Sequence, residues 1–292
     1  MEKLRSRLER GIMLFDGAMG TMLEASGVLA DVACPEELNI VAPEKVKAVH
    51  AAYIEAGAEA ILTNTFGGSR VKLAKSGLGG RVRELNLAGA KLAREVAGEE
   101  VLVAGSMGPL GEFLAPLGNL SRQEAIEIFA EQAQALAEGG VDAIIVETMY
   151  DLDEIEAAAH AVRESTDRPL ICTMAFDANL HTIMGVTPSK AALRLADAGA
   201  FALGANCGGC GLEGMAEILR QMREARPDAI FIVKPNAGSP QVVEGRVVYE
   251  ATPQDLAEYV KRYVDWGAKM VGGCCGTTPA HIQAMAEALG KR

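Results

Sequence analysis

Aromatic side chains are scarce in this 292-residue chain: they make up 4% of it, with a single tryptophan, while hydrophobic residues reach 49%. A core of that kind rests on Ala, Val, Leu and Ile, as in repeated βα units. Positive charge is also short, since 28 Lys and Arg against 39 Asp and Glu leave a net charge of −11. No basic patch large enough to follow a phosphate backbone stands out, so nucleic acid is not an expected partner. No apolar run approaches the ~20 residues that a membrane helix needs. The charged start, Glu2-Lys3-Leu4-Arg5-Ser6-Arg7, has no apolar signal core. The expectation is a cytoplasmic chain with no membrane partner. Six cysteines at this length, without a secretory signal, suggest reduced thiols or metal ligands and not a disulfide framework. Histidine is rare as well. His50, His160, His181 and His281 lie in helical or loop stretches without ligand spacing, and no Ser-His-Asp arrangement emerges.

What the chain does have is alternation. Eight short apolar runs read as buried strands: 12–15, 59–63, 101–105, 143–147, 169–174, 201–206, 229–234 and 269–273. Helical patterns with start signals follow them. Ser121-Arg122-Gln123-Glu124 is a capping box, and Thr187-Pro188, Thr252-Pro253 and Thr278-Pro279 each put a capping residue before a proline at the first helical position. From Pro253, Leu256, Tyr259, Val260, Tyr263 and Val264 share one face, and Gly267 marks the stop. Eight alternating β and α segments predict a parallel sheet closed into a (β/α)8 barrel, one domain over 1–292. A doubly wound fold would need its dinucleotide fingerprint, and Gly17-Ala18-Met19-Gly20 after the first strand does not match G-x-G-x-x-G. The segment 20–43 lacks clear periodicity, and 238–251 reads as a hairpin-like insertion after strand seven.

Unusual sequences gather at strand C-termini, the face that carries chemistry in such a barrel. Cys207 stands in Gly204-Ala205-Asn206-Cys207-Gly208, and Cys274 and Cys275 in Gly272-Gly273-Cys274-Cys275-Gly276. Thiolates from strands six and eight, on either side of strand seven, can meet at one point. Three of them leave one corner of a zinc tetrahedron open, the pattern of a catalytic zinc. A thiolate-rich site in turn suits a thiol substrate. Singly, each cysteine reads as a small hydrophobe, as Cys34 and Cys172 do. Cys210 forms a C-x-x-C with Cys207 and stands as a possible fourth ligand that would close the site. A dithiol redox protein using Cys274 and Cys275, or a non-catalytic zinc scaffold, remains open at this point.

Asp16 and Glu147 are acidic strand ends in apolar settings; each could cap a loop, and together they could hold a substrate ammonium. Backbone N–H groups of the turn from Asp16 to Thr21, Gly17 and Ala18 among them, would suit a carboxylate. Thr63 and Thr65 share one face of a strand end, either as substrate contacts or as cross-strand hydrogen-bonding partners. Ser106, within Gly105-Ser106-Met107-Gly108-Pro109, is counted with the substrate contacts. Asn236, after Lys234-Pro235, fills a turn or faces the metal.

Asp16-Gly17-Ala18-Met19-Gly20-Thr21, Thr63-Asn64-Thr65-Phe66-Gly67, Gly204-Ala205-Asn206-Cys207, Lys234-Pro235-Asn236-Ala237-Gly238 and Gly272-Gly273-Cys274-Cys275-Gly276-Thr277-Thr278-Pro279 together resemble the homocysteine S-methyltransferase family. The likeness runs over essentially the whole chain and is strongest to the homocysteine-binding barrel of cobalamin-dependent methionine synthases. It implies a (β/α)8 barrel with zinc on Cys207, Cys274 and Cys275, homocysteine held partly by Asp16 and Glu147, and Asn236 close to the metal. Cys210 departs from the family pattern, which more often has another residue there. The implied methyl donor is methylcobalamin, brought by a corrinoid-binding domain or protein, because the chain contains no cobalamin module of its own. S-methylmethionine, betaine or another methyl donor is the alternative. Zinc favours loss of a thiol proton at neutral pH, so no general base is required, in keeping with the missing histidine.

Overall fold

The computed structural model describes residues 2–243 and 246–291. All eight expected strands form, with bounds within two residues of their apolar runs. They are β1 (Met13–Leu14), β2 (Ala60–Leu62), β3 (Leu102–Met107), β4 (Ala143–Met149), β5 (Leu170–Met174), β6 (Ala202–Asn206), β7 (Phe231–Lys234) and, last, β10 (Ala268–Val271). Between β7 and β10 an antiparallel hairpin, β8 (Gln241–Val243) and β9 (Arg246–Val248), occupies the expected insertion. Helix α1 (Glu2–Glu9) precedes β1, and α2 (Gly20–Ala25), α3 (Leu38–Val41) and α4 (Pro43–Glu55) follow it. The aperiodic segment 20–43 is thus built of short pieces, with two 3-10 turns between α2 and α3. After β2 come α5 (Arg70–Ala74) and α6 (Val82–Ala97). Then α7 (Arg122–Glu138), α8 (Leu152–Ser165), α9 (Pro188–Asp197) and α10 (Gly211–Ala225) follow β3 to β6 in turn. Helix α11 (Pro253–Asp265) follows the hairpin, and α12 (Pro279–Ala288) follows β10.

The main sheet is parallel, in the order β1-β10-β7-β6-β5-β4-β3-β2. A parallel bridge between Phe15 and Ala60 joins its two ends, and the Asp16 N–H donates to the Ala60 carbonyl at 2.9 Å. The (β/α)8 barrel expected from the alternation is therefore the fold. Side chains alternate across each strand, which divides the core in two. Met13, Phe15, Leu62, Ile145, Ile171 and Met270 pack with their neighbours inside the barrel, where Leu4 of α1 joins them. Leu14, Ile61, Val103, Ile144 and Val146 face the helices.

The start signals act as read. Ser121 and Glu124 form a reciprocal capping box, and Thr252 forms another with Asp255. Thr187 accepts the Lys190 N–H, and Thr278 is capped in return by the His281 ring. Of the four histidines His50 is the unusual one. It lies on α4 with 0% exposure, and neither ring nitrogen has a hydrogen-bond partner among the described residues. Burial lowers its pKa to about 4.

Two predictions follow from this packing. Along β6, a Cβ at Gly204 would lie 1.8 Å from the Ile232 carbonyl oxygen of β7. Gly204→Ala must push two bonded strands apart, so it should destabilise by about 3 kcal/mol or more, the upper range of core overpacking. Gly80→Ala, with nothing within 4 Å of the new methyl, is the control in thermal unfolding. Equal melting temperatures for the two variants would refute the account. For His50, the folded pKa lies below the unfolded one, so its neutral form is stable in the fold above about pH 6.5. That stability is lost as pH falls from about 6.5 to about 4. His50→Leu should therefore gain over the parent increasingly across this window in urea unfolding. Parallel stability curves for the two proteins would sink the idea.

Candidate active site

Strand β7 lies between β6 and β10, and the residues at its C-terminus hold both cysteine segments. The Lys234 carbonyl accepts the Cys207 N–H at 3.1 Å, the Pro235 carbonyl accepts the Cys274 N–H at 2.7 Å, and the Ala237 N–H donates to the Cys275 carbonyl at 3.0 Å. The sulfurs of Cys207, Cys274 and Cys275 come within 4.8 Å of one another, on half-buried residues. Cys207 Sγ and Cys275 Sγ are 3.9 Å apart. A tetrahedral zinc with Zn–S bonds of about 2.3 Å has sulfur–sulfur edges of about 3.8 Å, so the thiol set fits that ion with one corner free. Cys207 adopts φ 57°, in the left-handed region. Such a conformation in a non-glycine residue is held only by its surroundings, here the bonds to β7. Cys275 is pulled down by its contact with Cys207 first, then with Cys274, with Tyr249 contributing. Cys207 is pushed up by its contacts with Cys274 and Cys275. A thiolate is the form that binds metal.

Cys210 stays outside this cluster. It sits at the N-terminal boundary of α10 and packs against the helix-side core, where burial raises its thiol to about 11. All six cysteines are free, and Cys172 is fully buried in β5.

Asp16 and Glu147 reach the inside of the barrel mouth, at 1% and 6% exposure. Between them is a cation that sequence reasoning did not assign. Lys234 Nζ lies 3.8 Å from Asp16 Oδ1 and 3.9 Å from Glu147 Oε2, with its side chain 2% exposed. Burial raises Asp16 to about 7, against the pull of Lys234 and of the Leu62 N–H, which donates to Oδ2 at 2.8 Å. Burial raises Glu147 too, again opposed chiefly by Lys234; Cys274 adds to the rise, and the Ser106 hydroxyl, donating to Oε1 at 2.5 Å, counters it. Asp16 Oδ1 and Asn236 Oδ1 have no hydrogen-bond partner among the described residues. A buried acceptor without a donor is costly, and two of them beside the thiols mark where a ligand's donors fit.

The remaining sequence candidates support this centre from behind. Thr63 and Thr65 hydroxyls lie 2.5 Å apart; Thr65 donates to the Ser106 carbonyl at 2.8 Å, and Thr63 accepts the Ser106 N–H at 3.0 Å. They tie β2 to β3 and fix Ser106 against Glu147. Gly17 has no room for a side chain, since a Cβ would lie 2.6 Å from Thr277 Oγ1. The Ala18 N–H is committed to Thr277 Oγ1 at 3.1 Å, and its carbonyl accepts the Tyr53 hydroxyl at 2.8 Å. Asn236 Nδ2 donates to the Gly208 carbonyl at 2.9 Å, beside Cys207.

Three other residues were missed. Asn206 Oδ1 accepts from the Thr173 hydroxyl at 2.6 Å and the Thr148 N–H at 2.8 Å. Its Nδ2 donates to Thr148 Oγ1 at 2.7 Å, Glu147 Oε2 at 3.4 Å and Cys274 Sγ at 3.7 Å. It thereby connects the carboxylate to the thiols; a polar residue ending an apolar strand just before Cys207 was the available signal. Thr148 takes φ 62° in this clamp. Tyr249, the one aromatic residue of 238–251, lays its ring on Gly276 and helps pull the Cys275 thiol down.

Comparison with known proteins places the chain in a family. The family described as homocysteine S-methyltransferase matches residues 13–289. The methionine synthase of Mycobacterium tuberculosis is 35% identical over 300 residues, covering 97% of this chain and 25% of that protein. Its counterpart in Mycobacterium leprae is 32% identical over 305 residues, covering 99% and 25%. The chain thus spans about a quarter of the length of these curated relatives. Among solved structures, the metallated form of the homocysteine methyltransferase MmuM from Escherichia coli superposes with a TM-score of 0.81 at 28% identity, covering 97% of this chain and 99% of that one. The apo form of the same protein gives a TM-score of 0.73 at 28% identity, covering 95% and 96%. With a family match that runs from β1 to the end of α12, the chain belongs to the homocysteine S-methyltransferase family.

Proposed function

We propose that this barrel binds homocysteine, activates its sulfur on a zinc held by Cys207, Cys274 and Cys275, and presents it to a methyl donor to form methionine. The observation that carries the reading is the convergence of three thiols beside two buried carboxylates, in a chain of this family. When bound, zinc acts as a Lewis acid that favours loss of the substrate's thiol proton, while its thiolate ligands keep the sulfur electron-rich. The chain's own groups do the rest. Asp16 and Glu147 take the ammonium, Asn236 Oδ1 offers a further acceptor, and Asn206 keeps Glu147 in register with Cys274. No side chain is needed as a general base, and no histidine lies in the cluster.

The donor we assign is methylcobalamin on a separate corrinoid-binding domain or protein. The relatives at 35% and 32% identity are methionine synthases about four times as long as this chain. The barrel mouth also suits a protein partner. Phe66, Phe113, Leu117, Ile183, Val242 and Val247 are large apolar side chains left exposed, and all belong to segments that follow strand C-termini. A second reading, a self-sufficient enzyme using S-methylmethionine or betaine, is favoured by the near-complete match to the E. coli homocysteine methyltransferase. Among the described residues no helix is long and apolar enough to cross a membrane.

The deciding assay offers homocysteine with free methylcobalamin, S-methylmethionine or betaine, side by side. Methionine should form from methylcobalamin. Formation only from S-methylmethionine or betaine moves the assignment to the second reading, and formation from none removes the proposal. Zinc content gives a separate check. Cys275→Ala should lose zinc and activity while staying folded, and Cys210→Ser should hold about one zinc per chain and turn over within a few-fold of the parent. Full zinc in Cys275→Ala would contradict the three-thiol site. Glu147→Gln should weaken homocysteine binding by roughly 10- to 150-fold, the cost of one charge-assisted hydrogen bond, and leave a plain alkyl thiol unaffected. Equal weakening of both thiols would mean that Glu147 supports the barrel mouth without reading the substrate.

A further inference from the structure

Among the described residues, Lys234 is the only cation paired with either carboxylate at the centre of the mouth. It ends β7, its carbonyl holds the Cys207 N–H, and its side chain runs inward instead of out to water. A buried lysine is rare unless paired, and here the pairing is unusual in form. Both contacts, 3.8 and 3.9 Å, exceed the length of an N–H···O hydrogen bond. The ammonium also lies 5.9 Å from the centre of the Phe15 ring. Lys234 is therefore placed to balance charge without saturating the acceptors. Asp16 Oδ1, the nearer of its two carboxylate partners, keeps no hydrogen-bond partner among the described residues.

Two carboxylates sharing a dry site repel, and one of them takes up a proton or turns away. A cation between them removes that conflict. From this arrangement we infer that Lys234 is a positioning residue that sets substrate specificity: its fixed charge lets Asp16 and Glu147 face the ligand together, so that an amino acid thiol is preferred over a thiol without an ammonium group. Lys234 does not itself touch the reacting sulfur. The inference rests on the proposed homocysteine reading and adds the residue that gives its two acids a common orientation. The groups around the pair are consistent with this. Leu62 N–H and Ser106 Oγ each donate to one acid, Asn206 Nδ2 approaches Glu147, and Glu147 and Cys274 supply only negative or neutral neighbours to Asp16.

The test uses the zinc-loaded full chain and titrates two probes by calorimetry: homocysteine, and 4-mercaptobutyrate, which keeps the thiol and carboxylate but lacks the amino group. The readout is the preference, the ratio of the two dissociation constants. Lys234→Met preserves length and apolar packing while removing the charge. It should bind 4-mercaptobutyrate as the parent does and lose about ten-fold or more of the preference, the loss of one charged hydrogen bond. An unchanged or increased preference would overturn the inference, and an increase would show that Lys234 competes with the substrate's ammonium. Asp16→Asn and the double variant Asp16→Asn/Lys234→Met complete a cycle. With a single carboxylate left there is no repulsion to relieve, so the double variant should show the same preference as Asp16→Asn alone. A further, independent loss in the double variant would also overturn the inference. This comparison holds even if Lys234→Met alone does not fold. Failure of the parent to bind either thiol would count against the proposed function itself, and would be told apart from failure of the Lys234 inference by the parent data alone.

Discussion

The hydrogen bonds made by one four-residue segment, Lys234-Pro235-Asn236-Ala237, hold this barrel mouth together. Cys207 comes from β6, and Cys274 and Cys275 come from β10, two strands that are not neighbours in the sheet. The end of β7 lies between them and bonds to both: through the Lys234 and Pro235 carbonyls, the Ala237 N–H and the Asn236 side chain. Pro235 suits this role because it has no N–H to satisfy and still offers a carbonyl. A thiol cluster assembled on backbone bonds from a barrel strand is held more firmly than one built from free loops. That rigidity permits Cys207 to stay in a left-handed conformation that an unsupported cysteine would leave.

The same centre runs against stability. Asp16 is raised to about 7 and Glu147 is raised as well, in both cases because burial outweighs the partial neutralisation by Lys234. Two buried acceptors, Asp16 Oδ1 and Asn236 Oδ1, have no donor among the described residues. Fully paired side chains there would make a more stable barrel but would leave nothing for a ligand's ammonium to engage. Unsatisfied acceptors and left-handed residues collected at one face are the familiar mark of a site whose geometry is set by binding. On the opposite side the inner cluster around Met13, Phe15 and Ile145 is apolar and closed by Leu4.

The architecture was legible in the sequence because it rests on local signals. Apolar runs and Thr-Pro starts fix strands and helices over a few residues, and the eight barrel strands fell within two residues of their expected places. Glycines around Cys207 and Cys274 likewise announced residues released from strands. What escaped was side-chain direction at strand ends. Lys234 reads as an ordinary charged residue before a proline; only the closed barrel shows that the period-2 alternation turns it inward. Asn206 joins Glu147 to Cys274 across three strands, and no short-range pattern encodes that. Thr63 and Thr65 show the reverse case. Their shared face was visible, but whether their hydroxyls meet a ligand or another strand depends on where Ser106 lies. Tyr249 is separated from Cys275 by a whole helix, and only the folded hairpin sets its ring on Gly276.

Exposure across the mouth gives the proposed substrate a direction. The carboxylates and Lys234 are almost fully buried, whereas the three cysteines are half-buried. A molecule with an ammonium at one end and a thiol at the other is then oriented by burial as much as by hydrogen bonds. The charged end enters the interior, where Coulomb attraction is least screened, and the sulfur stays at the rim. That order matches the chemistry a thiol methyltransferase needs. The nucleophile must meet a donor that arrives from outside, while the amino acid end must be secured before it does. The exposed valines of β8 and β9 stand on the insertion that carries Tyr249 to Cys275, so the surface a donor would meet and the sulfur cluster beneath it are joined by a single hairpin.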